Sequence, residues 1–317
     1  MKSRGMTGII VALCAGILLT SCGSEQRKRT EEKYTIGVVT KSGTSEYWMS
    51  LCEGMEQAAD EYGMEVIILQ PDSEKNKEAQ IKMMETLTEK NVDIVAVSPV
   101  DSKDEETYLK AALEKEIPVI TFDDGFDSQE IPYIGIDNEK AGYELMKYMA
   151  EQMNHTGQVG IIAGPLSQRC HRLRIEGAKK YLEEEKNMKL VYVESGYSNL
   201  QMKETEIKRL QQEYPKVEGV MVTSAATAMG FVDAVSDQGM NIVSVDAQSD
   251  AVSALQQGKI TALMAQSGYD VGYETVRYIE EQRNQEAKET GKILDFPMLT
   301  QSNVDEYVLS DKKNGEE

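Results

Sequence analysis

The sequence predicts an α/β protein of two doubly wound units, each a parallel sheet covered by helices. Three observations carry that reading. From residue 34 onward, short β-branched apolar runs alternate with amphipathic stretches of helical period, and such alternation builds parallel sheets through right-handed crossovers. The alternation then repeats as a second series of similar size after residue 138. Several runs also stop on an acid or an amide, at Asp123, Asp137, Asp246 and Gln266, and ligands of open α/β sheets sit at the carboxyl ends of strands.

The first unit reads as strand 34–40, helix 47–62, strand 65–69, helix 74–90, strand 93–97, helix 103–115 and strand 119–122. The strands are β-branched runs bounded by turn residues, and the helices repeat apolar positions three and four apart. Gly63 closes the first helix, because glycine enters the left-handed conformation without steric cost. The stretch 117–138, IPVITFDDGFDSQEIPYIGIDN, holds two runs that end in acids: 119–122 before Asp123-Asp124 and 133–136 before Asp137-Asn138. The second unit reads as helix 139–154, strand 158–162, helix 168–185, strand 189–194, helix 200–213, strand 219–223, helix 227–238 and strand 241–245. Helix 249–256, strand 261–266, helix 268–285 and an extended segment 292–297 follow. They come too late to complete the second sheet alone, so part of this region is expected to return to the first unit.

With 54 acidic and 34 basic side chains, the formal net charge is −20. That balance excludes nucleic-acid binding, which needs a basic face, and suits neutral or cationic small molecules. Most of the acid is expected on solvated helix faces such as 183–185. The chain opens with Lys2, Arg4 and an apolar core at 9–19, the layout of a bacterial signal peptide and shorter than the roughly 20 residues that span a bilayer. The following Leu19-Thr20-Ser21-Cys22 resembles the lipobox of bacterial lipoproteins, which implies removal of 1–21 and a lipid anchor on Cys22, outside the cytoplasm. Residues 23–33 are polar and aperiodic and read as a tether. Processing removes Cys14, leaving Cys52 and Cys170 as unpaired thiols and no disulfide framework. His155 and His171 are the only histidines and lack metal-ligand spacing, so neither metal nor cofactor is expected.

Several stretches, in order, resemble the type I periplasmic binding proteins, the ribose-binding and LacI-type sugar-binding fold. They are YWMSL at 47–51, IPVITFD at 117–123, IDN at 136–138, RLRIEG at 172–177, VD at 245–246, GKITALMAQ at 258–266 and NVDEY at 303–307. The resemblance covers 34 to about 309. It implies two Rossmann-like lobes, 34–136 with 267–297 and 137–266 with 298–309, and a tail at 310–317. It also implies three hinge crossings, near Asp137-Asn138, Ser267 and Met298. A LacI-type repressor is excluded, because a signal peptide and no helix-turn-helix segment precede Tyr34.

A sugar offers weakly apolar ring faces and an equator of hydroxyls, so its site needs aromatic walls and planar hydrogen-bonding groups. By resemblance, Tyr47 and Trp48 stack on the ring, Asp123 accepts hydroxyls, Arg174 reaches over from the second lobe, and Asp246 and Gln266 supply further polar contacts. The bland alternatives are core aromatics for the pair, a turn role for Asp123 and a solvated helix arginine, which Arg172 fits better than Arg174. Four positions depart from the ribose-type pattern: Asp124 stands where an arginine is usual, Ser224-Ala225 replaces Asn-Asp, and Ser198 replaces an aromatic. The expected cleft is roomier on the second-lobe side and more acidic on the first, suited to a larger, amino-bearing or polyol-like sugar.

The resemblance implies a monomer that hands its ligand to an ABC permease. The competing reading is a sensor that presents its closed form to a membrane histidine kinase or similar receptor. An enzyme has little support: adjacent carboxylates on one strand, Asp123 and Asp124, are expected to point to opposite faces, and no nucleophile, base and orienter set is present.

Overall fold

Side-chain alternation along the first strand decides the layering. In β1 (Thr35–Val39), Ile36 and Val38 enter one apolar cluster and Val39 the opposite one, so the sheet is buried on both faces, as a parallel sheet requires. The protein is described by a computed structural model for residues 33–197, 202–235, 239–285 and 290–308. The expectations for the signal peptide, Cys22, most of the tether, Ser198 and the tail at 310–317 lie outside those residues.

The first series runs β1, α1 (Glu46–Tyr62), β2 (Glu65–Leu69), α2 (Lys77–Glu89), β3 (Ile94–Val97), α3 (Glu105–Glu114), β4 (Val119–Phe122) and β5 (Tyr133–Ile136). The second runs α4 (Asn138–Gln152), β6 (Gly157–Ile162), α5 (Arg169–Glu184), β7 (Met188–Glu194), α6 (Glu204–Glu213), β8 (Val217–Val222), α7 (Ala225–Val235) and β9 (Asn241–Val245). It continues through α8 (Ser249–Gln256) and β10 (Ala262–Met264), and α9 (Gly268–Arg283), β11 (Gly291–Leu294) and β12 (Met298–Leu299) complete the order.

Two six-stranded sheets result, β11-β5-β4-β3-β1-β2 and β7-β6-β8-β9-β10-β12. The orders superpose, β1 on β6, β3 on β8, β4 on β9 and β5 on β10, so the chain is an internal repeat in space. All described pairings are parallel except β10 with β12, which is antiparallel. Among the described residues the chain passes between sheets three times: from β5 to β6, from β10 to α9 and from β11 to β12. The segment read as one extended run at 292–297 holds the end of β11 and then the link at 295–297 to β12, which lies in the other sheet. Pro297 has no N–H for a ladder, yet its carbonyl accepts from Ala265 N at 3.0 Å, and Phe296 packs against both lobes' cores.

The helix starts carry the expected caps. Ser45, Asp137 and Ser267 each accept a backbone N–H from the first turn of α1, α4 and α9, satisfying donors a helix leaves open. Gly63 ends α1 with φ 66°. Two helix pairs approach closely, α1 with α9 and α4 with α5. In each a glycine permits the contact: a Cβ on Gly272 would overlap the Leu51 carbonyl, and one on Gly142 the Arg174 carbonyl.

Candidate functional site

The carboxyl ends of both sheets face one cleft, and its chemistry begins with two backbone outliers. Asp123, after β4, has φ 61°, and Asp246, after the equivalent β9, has φ 78°. Each N–H still reaches the neighbouring strand, Asp123 to Ile134 O and Asp246 to Met264 O, both at 2.9 Å. The left-handed turn then aims each carboxylate across the strand ends, a strain of about 1–3 kcal/mol that such sites commonly hold.

The turn also overrides strict alternation. Asp123 and Asp124 were expected on opposite faces, but both carboxylates reach the buried Lys41 ammonium, at 3.2 and 3.1 Å. The first-lobe wall is therefore less acidic than its pair of aspartates suggests. Burial disfavours the Lys41 ammonium, yet Asp124, Cys170, Asp123 and Glu74 together hold its pKa well above the ordinary lysine value. Asp123 is likewise penalised by burial, and Lys41, the Tyr47 hydroxyl and Arg174 bring it below the usual carboxylate range.

A chain of hydrogen bonds links the residues read from sequence. Tyr47 OH donates to Asp123 Oδ1 at 2.8 Å, and Ser98 Oγ donates to Oδ2 at 3.0 Å. Gln266 Nε2 donates to Tyr47 OH at 2.7 Å and to Asp123 Oδ1 at 3.1 Å. Arg174 Nη2 donates to Gln266 Oε1 at 2.9 Å, its Nη1 to Thr223 O at 2.6 Å and its Nε to Asn138 Oδ1 at 2.8 Å. Arg174 is fully engaged and buried, not a solvated helix residue. Arg172 also departs from that reading: it pairs with Asp127 of the first lobe and donates to Leu166 O and Ser167 O.

Between the lobes lies a cavity of about 50 Å³ lined by Tyr47, Trp48, Asp123, Arg174, Ser224 and Asp246 among others. Gln266 touches the lining through Tyr47 and Arg174. Asp124 does not face the cavity: beyond Lys41, its Oδ1 accepts from Cys170 N, at the start of α5, at 2.9 Å. Asp124 thus links Lys41 of its own lobe to the backbone at the start of α5 in the other. Trp48 lies edge-on to Tyr47 at 5.2 Å and donates from Nε1 to Glu74 at 3.1 Å. Ser224 Oγ bonds Thr227 Oγ1 at 3.1 Å. Burial pushes the Asp246 carboxyl up to about 6, opposed by Arg174 and reinforced by Asp123.

Sequence reasoning missed Lys41, Glu74, Gln168 and His171, all of which line the cavity. Lys41 lies two residues past the end of β1. His171 stays neutral: burial, then Arg174 and Lys41, hold it well below the ordinary histidine value. Contacts on two sides hold the lobes together. Glu46 accepts from Ser249 N and Oγ at one side. At the other, Ser102 N donates to Ser167 O at 3.0 Å and Arg169 N to Ser102 Oγ at 2.9 Å. Among the described residues no His, Cys, Asp and Glu group is arranged to hold a metal ion, Cys52 and Cys170 are free thiols, and no helix is long and apolar enough to cross a membrane.

Two repeat-related lobes with a polar cavity at their strand ends define a bilobal small-molecule-binding protein. The periplasmic binding protein domain model matches residues 36–287, and the chain belongs to that family. A D-ribose/D-allose-binding protein of Pseudomonas aeruginosa is 26% identical over 268 residues, 79% of this chain and 84% of the relative. A ribose import binding protein of Bacillus subtilis is 24% identical over 265 residues, 80% and 86% of the two chains. A solute-binding protein of Actinobacillus succinogenes, solved with bound D-allose, superposes with TM-score 0.79 at 23% identity, covering 87% of this chain and all of that one.

Proposed function

We propose that this protein captures a sugar between its lobes and delivers it to an ABC importer, working as a monomer anchored outside the cytoplasm through lipid on Cys22. The observation that carries the reading is the Tyr47, Asp123, Gln266 and Arg174 chain, which joins strand ends of both lobes through groups suited to hydroxyls. In this closed form those groups satisfy one another around about 50 Å³, well below the few hundred Å³ of ordinary ligand pockets. Entry therefore requires the lobes to part about the crossings at Asp137-Asn138, Ser267 and Met298, and a sugar then takes over bonds the lobes make to each other. Ligand and closure favour each other because one molecule can touch both lobes only when they are shut.

The relatives' named ligands, D-ribose and D-allose, set the class. Ser224 and Ala225, where the ribose-type pattern has Asn-Asp, argue against a ribose site copied unchanged and favour a larger or polyol-like sugar. Isothermal titration with D-ribose, D-allose, D-glucose, D-galactose, D-glucosamine and myo-inositol tests this. Binding of a hexose or cyclitol more tightly than ribose supports it, whereas ribose as the tightest ligand removes the claim of an altered site, and no binding by any of them removes sugar capture. Loss of uptake of the bound sugar on gene deletion separates delivery from a purely sensory role.

A further inference from the structure

One cavity residue has a donor with nowhere to go. Gln168, just ahead of α5, is 1% exposed and lines the cavity between the lobes. Its Oε1 accepts from Lys41 Nζ at 3.0 Å. That bond fixes which way the amide faces, because an ammonium only donates and would repel the amide's own N–H groups. Nε2 is thereby turned away from Lys41, and among the described residues this buried nitrogen has no hydrogen-bond partner. The helix start gives it none, since the Gln168 side chain makes no capping bond. Lys41 cannot yield, as its other bonds hold Asp123 and Asp124. Buried donors are almost always paired, and one left over beside a binding cavity is free to meet a ligand atom once the lobes part.

We infer that Gln168 is a specificity-determining residue whose Nε2 donates to an oxygen of the bound solute, oriented for that task by Lys41. The inference rests on the sugar-capture reading and narrows it. The part of the solute against α5 presents an acceptor oxygen, a hydroxyl or ring oxygen. It does not present an amine, which would meet the amide N–H groups and a neighbouring ammonium. Asp123 and Asp246 also line the cavity, and their carboxylates are suited to accept from ligand hydroxyls. The preferred ligand is therefore a neutral polyhydroxylated ring held by donors at one edge and acceptors at another.

Gln168→Glu keeps an oxygen for Lys41 and replaces the donor with an acceptor. It is compared with wild type by calorimetry against whichever of D-ribose, D-allose, D-glucose and D-galactose binds, and against the monodeoxy analogues of that sugar. The expected result is a loss of at least about tenfold for the parent sugar. One deoxy analogue should lose affinity for wild type but little more for the variant, the non-additivity of a direct contact. Equal affinity of variant and wild type overturns the inference, as does a variant that weakens parent and every deoxy analogue by one common factor, which is the mark of a structural role. Should that variant fail to fold, Gln168→Met, which removes the donor, takes its place against the same analogues and is judged by the same outcomes. If no sugar of the set binds wild type, sugar capture falls and the role of Gln168 falls with it.

Discussion

Lys41 neutralises two carboxylates that the sequence presents as a bare acidic pair. Lys41→Met removes the cation while keeping the volume, leaving Asp123 and Asp124 buried beside each other. A stability loss of about 3–5 kcal/mol near neutral pH is expected from urea unfolding, because an uncompensated buried charge is costly; a loss below about 1 kcal/mol would show that the carboxylates find other partners. Asp246 sets a second test. Burial raises its carboxyl to about 6, so its contribution to stability is complete below the unfolded carboxylate value and is lost as pH rises through about 6. Sugar affinity runs the other way, because a ligand hydroxyl donates best to the ionised form. Affinity should rise about tenfold between about pH 5 and pH 7, following the ionised fraction, and the Asp246→Asn variant should flatten the profile. An unchanged slope in that variant would assign the titration to another group. Lys41 and Gln168 were hard to read from sequence because their roles come from charge balance over separations of 83 and 127 residues, whereas Asp123 and Asp246 announce themselves as acids at strand ends.

At the scale of elements, the alternation of period 2 and period 3.6 was legible because each sheet is buried on both faces and each helix on one. A boundary slipped where polar residues fill a helix start: α2 begins at Lys77 behind an Asn76 cap, not at 74. The close pair α4 and α5 ties packing to the site, because Gly142 abuts the backbone of Arg174 itself. Gly142→Ala should cost about 1–3 kcal/mol through overpacking and also weaken sugar binding, as α5 shifts and carries the guanidinium with it. Thermal unfolding and calorimetry check both, and a destabilised variant with unaltered affinity would show that the site moves independently of that helix contact.

For the whole molecule, the repeat explains the function. Two copies of one strand order place equivalent aspartates at equivalent strand ends, and bringing those ends together makes a site that neither lobe holds alone. The anchor is tested apart from the cleft: Cys22→Ser should move the protein from the membrane fraction to the soluble extracytoplasmic fraction with sugar affinity unchanged, and persistence in the membrane would refute lipidation there. The central claim, capture of a sugar between the lobes, has a built-in reporter, because the chain's one tryptophan is Trp48, in the cavity wall. Titrating D-allose, D-galactose and myo-inositol while following tryptophan emission should give a saturable change with at least one of them, at a midpoint matching calorimetry. Emission that stays constant while calorimetry records binding would place the ligand elsewhere and contradict the account.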